Sequence, residues 1–532
     1  MESSGNRTGF LAVILSLAVI ALIYITIPCY SFFSDGIQFA IEIRYSSDWI
    51  LHANHVLYPL LPQAIYSLIG GPATGMGVLD FLVAWSNVAG IAAAVFMVLI
   101  FRACSMKSPA VVIGLALFAF TNGVWYFAVT PNQNSTPLLL NVLTLYVMIL
   151  ITNRGDRPNF REILLTSVML VVSILSSQVN AALILPAIWI FSQGDESRRI
   201  DIRRAITVVL VTAIMLFLAV AAIGIFAGGF RTVADFIAWQ HSYVFQSRWW
   251  PDSFGDAFER NLIGLLTVHI ANLFPADGWW NNWLLRLGQI YVIAFILFEF
   301  VIATLRYFRN VEKTPVQTIG LLAAVPVFVF SFFFIPENLN LRVLYIPGFL
   351  IFLMPSIAKR YSLDRFSLKA WPVFLAAAAL LLVNLTTEYL PASNPSSNPR
   401  LVEAGELMQY VDPDDMIVYP WTDEGHTMSL YVQYFLGCDS LTVNKLIDLE
   451  KAGAVIGLIE LLTGDDADRT VWIDGDILES DAVMQGMMER YDREYDQDEI
   501  DDFIARWLTP SEKEFTTADY CYLGYEGAQL WD

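Results

Sequence analysis

Apolar stretches long enough to cross a bilayer recur along three quarters of this chain, and they constrain its fold before any single residue does. Candidate spans lie at 9–29, 80–101, 109–129, 136–152, 163–192, 205–227, 283–305, 315–335, 341–357 and 371–389. A crossing needs about 20 apolar residues. Lipid cannot satisfy bare backbone N–H and C=O groups, so such segments must be helices. Of 532 residues, 56% are hydrophobic and 15% are charged, which excludes a soluble protein of this size. The first run, Phe10 to Pro28, is too long for a removable leader and lacks a small-residue cleavage pattern. It reads as a retained helix.

Orientation follows from Arg and Lys. Five basic loops stand out: Arg102 and Lys107; Arg154, Arg157 and Arg161; Arg198, Arg199, Arg203 and Arg204; Arg306, Arg309 and Lys313; Lys359, Arg360, Arg365 and Lys369. These are assigned to the cytoplasm. The uncharged stretch Ile163 to Gly194 must then leave and return, with Ser176-Ser177-Gln178-Val179-Asn180 as its turn. A single tilted helix there would strand four arginines on the wrong side. The expectation is a polytopic α-helical membrane protein of about eleven transmembrane helices, multi-pass in the cell membrane, N-terminus cytoplasmic and C-terminus outside.

That topology places the loop 30–77, the link PENLNLR, the segment 228–282 and the tail on the outer face. All five histidines fall there as well. The segment 228–282 is aromatic and mixed in polarity, as expected of interfacial helices roofing a cavity. The expected domains are a membrane domain over 1–390, a Pro/Ser/Asn linker over 391–400 and an acidic soluble domain over 401–532. In the last, helix-like LVEAGELMQYV and MSLYVQYFL alternate with strand-like MIVYPW and TVWIDG, the pattern of a small α/β domain. The formal charge of −20 comes wholly from this tail, the residues before it being close to neutral. A solvated face, a calcium-binding surface or adaptation to salt would each account for it. Nothing is basic enough for nucleic acid. The four cysteines lack metal spacing, and a Cys438–Cys521 bridge stays open.

Asp35 follows the first span and opens Ile37 to Ile50, where Ile37, Ala40, Ile41 and Tyr45 recur at helical spacing. A carboxylate there can act as general base on an acceptor hydroxyl, or simply cap a helix. In the same loop, Pro59 would fix the direction of His55 and Tyr58, as phosphate or sugar contacts or as interfacial anchors. His52 and His55 with Asp35 or Asp48 have only generic spacing for metal ligands, and no metal site is assigned. In Pro336-Glu337-Asn338-Leu339-Asn340-Leu341-Arg342, Arg342 offers a charge-assisted fork to phosphate, and Glu337 stands with it as a substrate-binding candidate. The competing reading is a snorkelling anchor paired with Glu337. Arg231, Asp235, His241 and Arg248 are further headgroup candidates.

An inside N-terminus, an Asp just after the first helix, H-x-x-Y-P-L at 55–60, short paired helices, a late E-x-x-x-x-R at 337–342 and an outer C-terminal domain together resemble the GT-C superfamily of polyprenyl-phosphate-sugar glycosyltransferases. The nearest branch is the protein O-mannosyltransferase-like and aminoarabinose-transferase-like one. The resemblance implies an inverting transferase, with Asp35 as base and a phosphate leaving group. Where the family's protein-mannosylating members carry a second acid, this chain has Gln38, which joins the substrate-binding candidates while leaving the acceptor class open.

The function expected is transfer of a sugar from a polyprenyl-phosphate donor to a glycan, lipid or protein acceptor outside the cytoplasm. No cofactor is required, and a divalent cation is optional. The alternative is a transporter or lipid-linked glycan flippase, against which stand the lack of an ionisable residue well inside a span and of a clear repeat.

Overall fold

A computed structural model describes residues 2–32, 34–46, 49–52, 54–71, 76–193, 201–232, 234–235, 237, 251, 253–272, 283–311, 313–364, 368–420, 422–454, 470–475, 477, 502–503, 505–516 and 521–527. The chain forms two compact units: Met1–Ser31 with Ser46–Ser393, and Phe32–Tyr45 with Asn394–Asp532. The outer loop expected over 30–77 is thus divided, its first helix belonging with the C-terminal unit.

The first unit is a helical membrane bundle. Among the described residues, eight helices are long and apolar enough to cross: Thr8–Thr26, Val78–Ala103, Ser135–Asn153, Ile202–Phe226, Trp283–Phe308, Pro315–Phe333, Leu339–Arg360 and Leu368–Ala392. A ninth expected span is broken, with Ser108–Ala119 and Asn122–Val129 meeting at 67°. Polar groups freed by a break inside a bundle must find partners. Here the Asn384 side chain donates to Phe120 O over 2.7 Å, while Asn122 N and Gly123 N donate to the carbonyls of His269 and Val268 over 3.1 and 2.8 Å. Trp125 stacks on Tyr389 beside this break, with centroids 4.1 Å apart.

The stretch read as two short crossings divides into helix Phe160–Ser176, a 3-10 segment Gln178–Leu183 and helix Ile184–Ser192. The expected polar patch marks the division. Asn180 there accepts from Asn141 over 2.8 Å and donates to the Pro137 and Ser173 carbonyls.

Helices Pro315–Phe333 and Ile346–Arg360 cross at two glycines. A Cβ on Gly320 would lie 2.6 Å from Gly348 O, and one on Gly348 would lie 2.8 Å from Gly320 O. Small residues permit this backbone approach, which is a main source of helix association in lipid. One expectation needs correction: Glu299 is fully buried within the span Trp283–Phe308. It accepts from Tyr361 Oη over 2.7 Å and lies 3.7 Å from Arg360. A buried carboxyl needs such hydrogen-bonding partners, whose distance in sequence hid them.

In the second unit, strands β1 (Met416–Tyr419), β2 (Asp439–Thr442), β3 (Thr470–Asp474), β4 (Leu508–Thr516) and β5 (Cys521–Gly527) form one sheet of order β2-β1-β3-β5-β4. β1 pairs parallel with β2 and β3, crossing over through helix Asp423–Phe435 and helix Val443–Lys451, while β5 runs antiparallel to β3 and β4. β1 ends before Pro420, which has no N–H to continue the ladder. Met416, Val418, Leu446, Val471, Ile473 and Trp507 belong to the core on this sheet. All four cysteines are free, so the bridge left open between Cys438 and Cys521 is not formed.

Candidate functional site

Asp35 lies in the first turn of helix Ser34–Tyr45. The helix already begins at Ser34, so Asp35 is one residue inside it and not its cap; there its charge faces the positive end of the helix dipole. The buried face is Gly36, Ile37, Phe39, Ala40 and Ile43. It differs from the face read from sequence in that Ile41 is only partly buried and Tyr45 is exposed. Asp35, Gln38 and Glu42, spaced by three and four residues, share the other face. Gln38 Nε2 donates to Glu42 Oε1 over 3.0 Å. Burial raises the Glu42 carboxyl above its ordinary range; the Gln38 hydrogen bond opposes this and the Asp35 charge adds to it. Glu42 was missed from sequence, although it lies one turn beyond Gln38.

The remaining described candidates are in the membrane unit. The chain leaves span Pro315–Phe333 through Ile335, whose φ of +46° is an outlier for a β-branched residue. The Asn338 side chain then caps a single turn, Leu339–Arg342, by accepting from Asn340 N over 2.6 Å. This delivers Arg342 into the interior, where it is fully buried. Its Nε donates to Pro336 O over 2.7 Å, and its Nη2 to Asn261 Oδ1 over 2.6 Å and also to Pro336 O. Nη1 is buried without a hydrogen-bond partner.

This arrangement corrects the reading of Arg342 as a snorkelling anchor paired with Glu337. Glu337 instead takes a two-point contact from Arg260, at 2.7 and 2.6 Å, with Asp256 3.2 Å away on the other side of that guanidinium. Arg260, Asn261 and Gly264 all come from helix Phe254–Thr267, capped by Ser253. Any Cβ on Gly264 would collide with Arg342 Nε and Pro336 O. Sequence reading missed these three residues. The only local signal was Asp256 four residues before Arg260, ordinary helix-surface spacing.

Past this helix, the His269 ring is buried, with its Nε2 3.4 Å from Tyr345 Oη. Burial, and next the positive charge of Arg342, pull its pKa down to about 4. His269 and Tyr345 line one part of an apolar cavity of about 200 Å³ whose walls include Leu265, Ile296, Phe328 and Phe349.

His55 lies between Asn54 and the helix Leu57–Leu68, and its Nδ1 is 3.1 Å from Ser176 O. A carbonyl can only accept, so Nδ1 carries the proton and the neutral ring keeps a lone pair on Nε2. Burial brings its pKa down to about 4, against the opposing pull of the Ser176 bond. His55 lines a cavity of about 390 Å³ together with Asn54, Gln178, Pro326, Phe334 and Leu341, the neighbour of Arg342. Tyr58 is fully buried, which rules out a role as a solvent-edge anchor. A larger, mostly apolar cavity of about 740 Å³ is lined by Ile174, Leu216, Val220 and Phe230 with Gln178 and Arg231 at its polar part. Asp235 is exposed and accepts from the backbone of Arg231 and Thr232 over 3.0 and 2.8 Å, a local turn contact. His241 and Arg248 lie outside the described residues. Among the described residues, no three His, Cys, Asp or Glu side chains group so as to hold a metal ion.

No protein-family model and no curated protein sequence matches the chain. Solved structures do. ArnT from Cupriavidus metallidurans in the apo state matches with a TM-score of 0.56 and 13% identity over 98% of each chain. The same protein bound to undecaprenyl phosphate matches at 0.55 and 12%, again over 98% of each. The arabinofuranosyltransferase AftD from Mycobacteria matches at 0.51 and 13%, over 98% of this chain and 40% of its own. The chain therefore has the fold of the GT-C glycosyltransferases, as the resemblance implied.

Proposed function

We propose that this GT-C-fold chain is an inverting glycosyltransferase, taking a sugar from a polyprenyl-phosphate donor to a glycan, lipid or protein acceptor on the extracytoplasmic face. The observation that carries the reading is Arg342: a fully buried guanidinium with one nitrogen lacking a partner. A buried donor without an acceptor costs about 1–3 kcal/mol, and a phosphate oxygen would satisfy it. ArnT, which shares the fold, was captured with undecaprenyl phosphate, and apolar cavities near His269 and beside Ile174 are of a chemistry to take isoprenoid chains.

In this reading Asp35 removes the proton from the acceptor hydroxyl as its oxygen bonds to the anomeric carbon. The bond from that carbon to the phosphate oxygen breaks on the opposite side, which inverts the centre. The electron pair leaves on the phosphate, where Arg342 stabilises the developing charge. His55, Tyr58 and Gln38 are assigned to substrate contact. Glu337 acts by holding Arg260, and a divalent cation is optional. The basic loops orient the N-terminus to the cytoplasm and the C-terminal domain outward.

The test is transfer of radiolabelled sugar from a panel of polyprenyl-phosphate sugars by purified wild type, Asp35→Asn and Arg342→Gln, each checked for folding. Loss of transfer in both folded variants supports the reading. Wild-type rates in Asp35→Asn would remove Asp35 from catalysis, and movement of intact lipid-linked sugar across proteoliposomes without transfer would favour the flippase.

A further inference from the structure

Helix Ser34–Tyr45 emerges between two segments of the membrane unit, yet it packs within the C-terminal unit. Its partner is helix Asp423–Phe435, the crossover between β1 and β2. Arg44, in the last turn of the first helix, donates from Nη1 to Tyr434 O over 2.8 Å. That carbonyl is among the last four of its own helix, which have no partner within the helix and lie at the negative end of the dipole. The Arg44 guanidinium also lies over two rings, 5.2 Å from the centroid of Tyr45 and 5.4 Å from that of Tyr434. At the other end of the segment, Phe32 stacks on Tyr431 with centroids 6.3 Å apart. Tyr431 is fully buried, and its hydroxyl accepts from Asn398 Nδ2 over 2.8 Å. Asn398 in turn caps helix Pro399–Leu407.

We propose that Arg44 is a positioning residue, and that the C-terminal unit serves as the platform that fixes the helix bearing Asp35. The proposal rests on Asp35 being the base. Nine residues separate Asp35 from Arg44, about 13 Å along a helix at 1.5 Å per residue, so Arg44 acts through the helix and not on the reacting atoms. A planar guanidinium can stack on both rings while one N–H meets the carbonyl; an ammonium cannot do all three. The C-terminal domain then has a role that needs no acceptor or carbohydrate site within it.

The experiment uses the full-length protein in nanodiscs, with Arg44→Ala, Arg44→Lys and Tyr434→Leu. Hydrogen exchange of peptides spanning 34–45 reads the tether without reference to activity. Steady-state transfer from undecaprenyl-phosphate-linked radiolabelled mannose and arabinose reads its consequence. Arg44→Ala and Tyr434→Leu are expected to speed exchange over 34–45 by about tenfold, equivalent to about 1.4 kcal/mol, with Val78–Ala103 and β1 unchanged. The kcat should fall about tenfold or more while the donor KM stays within about twofold, and Arg44→Lys should recover part of both. Unchanged exchange over 34–45 in Arg44→Ala overturns the tether. A loosened helix with wild-type kcat overturns the positioning role. If wild type uses neither donor, the donor reading fails separately, and exchange alone then decides the tether.

Discussion

The Arg342 guanidinium donates to the side-chain oxygen of Asn261 over 2.6 Å, joining two segments 81 residues apart. The same guanidinium takes up the Pro336 carbonyl, so two of its three nitrogens are spoken for within the protein and Nη1 is left. A cation held in this way is fixed in direction before any ligand arrives, the preorganisation that makes a charged donor effective in a dry site.

Arg342→Lys should therefore cost far more than a conservative exchange. An ammonium keeps the charge and loses the fork that reaches Pro336, Asn261 and a third acceptor together. One charge-assisted hydrogen bond is worth about 1.5–3 kcal/mol, so kcat/KM should drop by about 10- to 100-fold. Steady-state kinetics with the donor panel checks it, and a rise in KM alone, with kcat intact, would mean that Arg342 holds ground state and transition state equally.

Glu337→Gln gives the contrast. Glu337 is paired with Arg260, and side-chain exposures of 36% and 26% leave that pair open to solvent screening. Such pairs contribute about 0–1 kcal/mol. Thermal unfolding in detergent should shift little, and transfer should stay within about threefold of wild type. If Glu337→Gln matched Arg342→Lys in severity, Glu337 would be touching substrate.

Stability should fall on the acid side. The pKa values of His55 and His269 lie near 4 in the fold against 6.5 when free. Between those values the unfolded chain binds protons that the folded one does not, so stability rises with pH through this window. The contribution is complete above about 6.5 and is lost as pH falls to about 4. A melting series from pH 8 to pH 4 should be steepest there, and His269→Gln in a folded background should flatten it.

Gly320→Val should weaken the crossing of helices Pro315–Phe333 and Ile346–Arg360. The new side chain would meet backbone on the facing helix, which cannot turn aside. Overpacking of this kind costs about 1–3 kcal/mol. A lower melting temperature with retained helical circular dichroism is the expected result, and an unchanged one would mean that the helices are free to separate.

The neighbouring residues that determine a span are all consecutive, and so the spans could be read from the chain. Length and polarity of each run suffice, because lipid penalises every unpaired backbone group locally. The break near Phe120 was different. Ser108–Val129 reads as one apolar run; its 67° bend depends on Asn384 and on carbonyls of 268–269, more than 140 residues downstream. Glu299 escaped notice for the same reason, since its partners Arg360 and Tyr361 are some 60 residues away.

The sequence by itself determined the helical membrane class, the α/β character of the tail, the layout shared with GT-C proteins and the types of residue available at Asp35 and Arg342. These follow from composition, periodicity and order, which are local properties. Tertiary structure alone decided that Arg342 is buried with Asn261 while Glu337 goes to Arg260, and that the helix of Asp35 packs with Tyr434 in the C-terminal unit. Which of several acids an arginine meets, and which body a short helix joins, depends on packing between distant segments. No periodicity along the chain carries that choice.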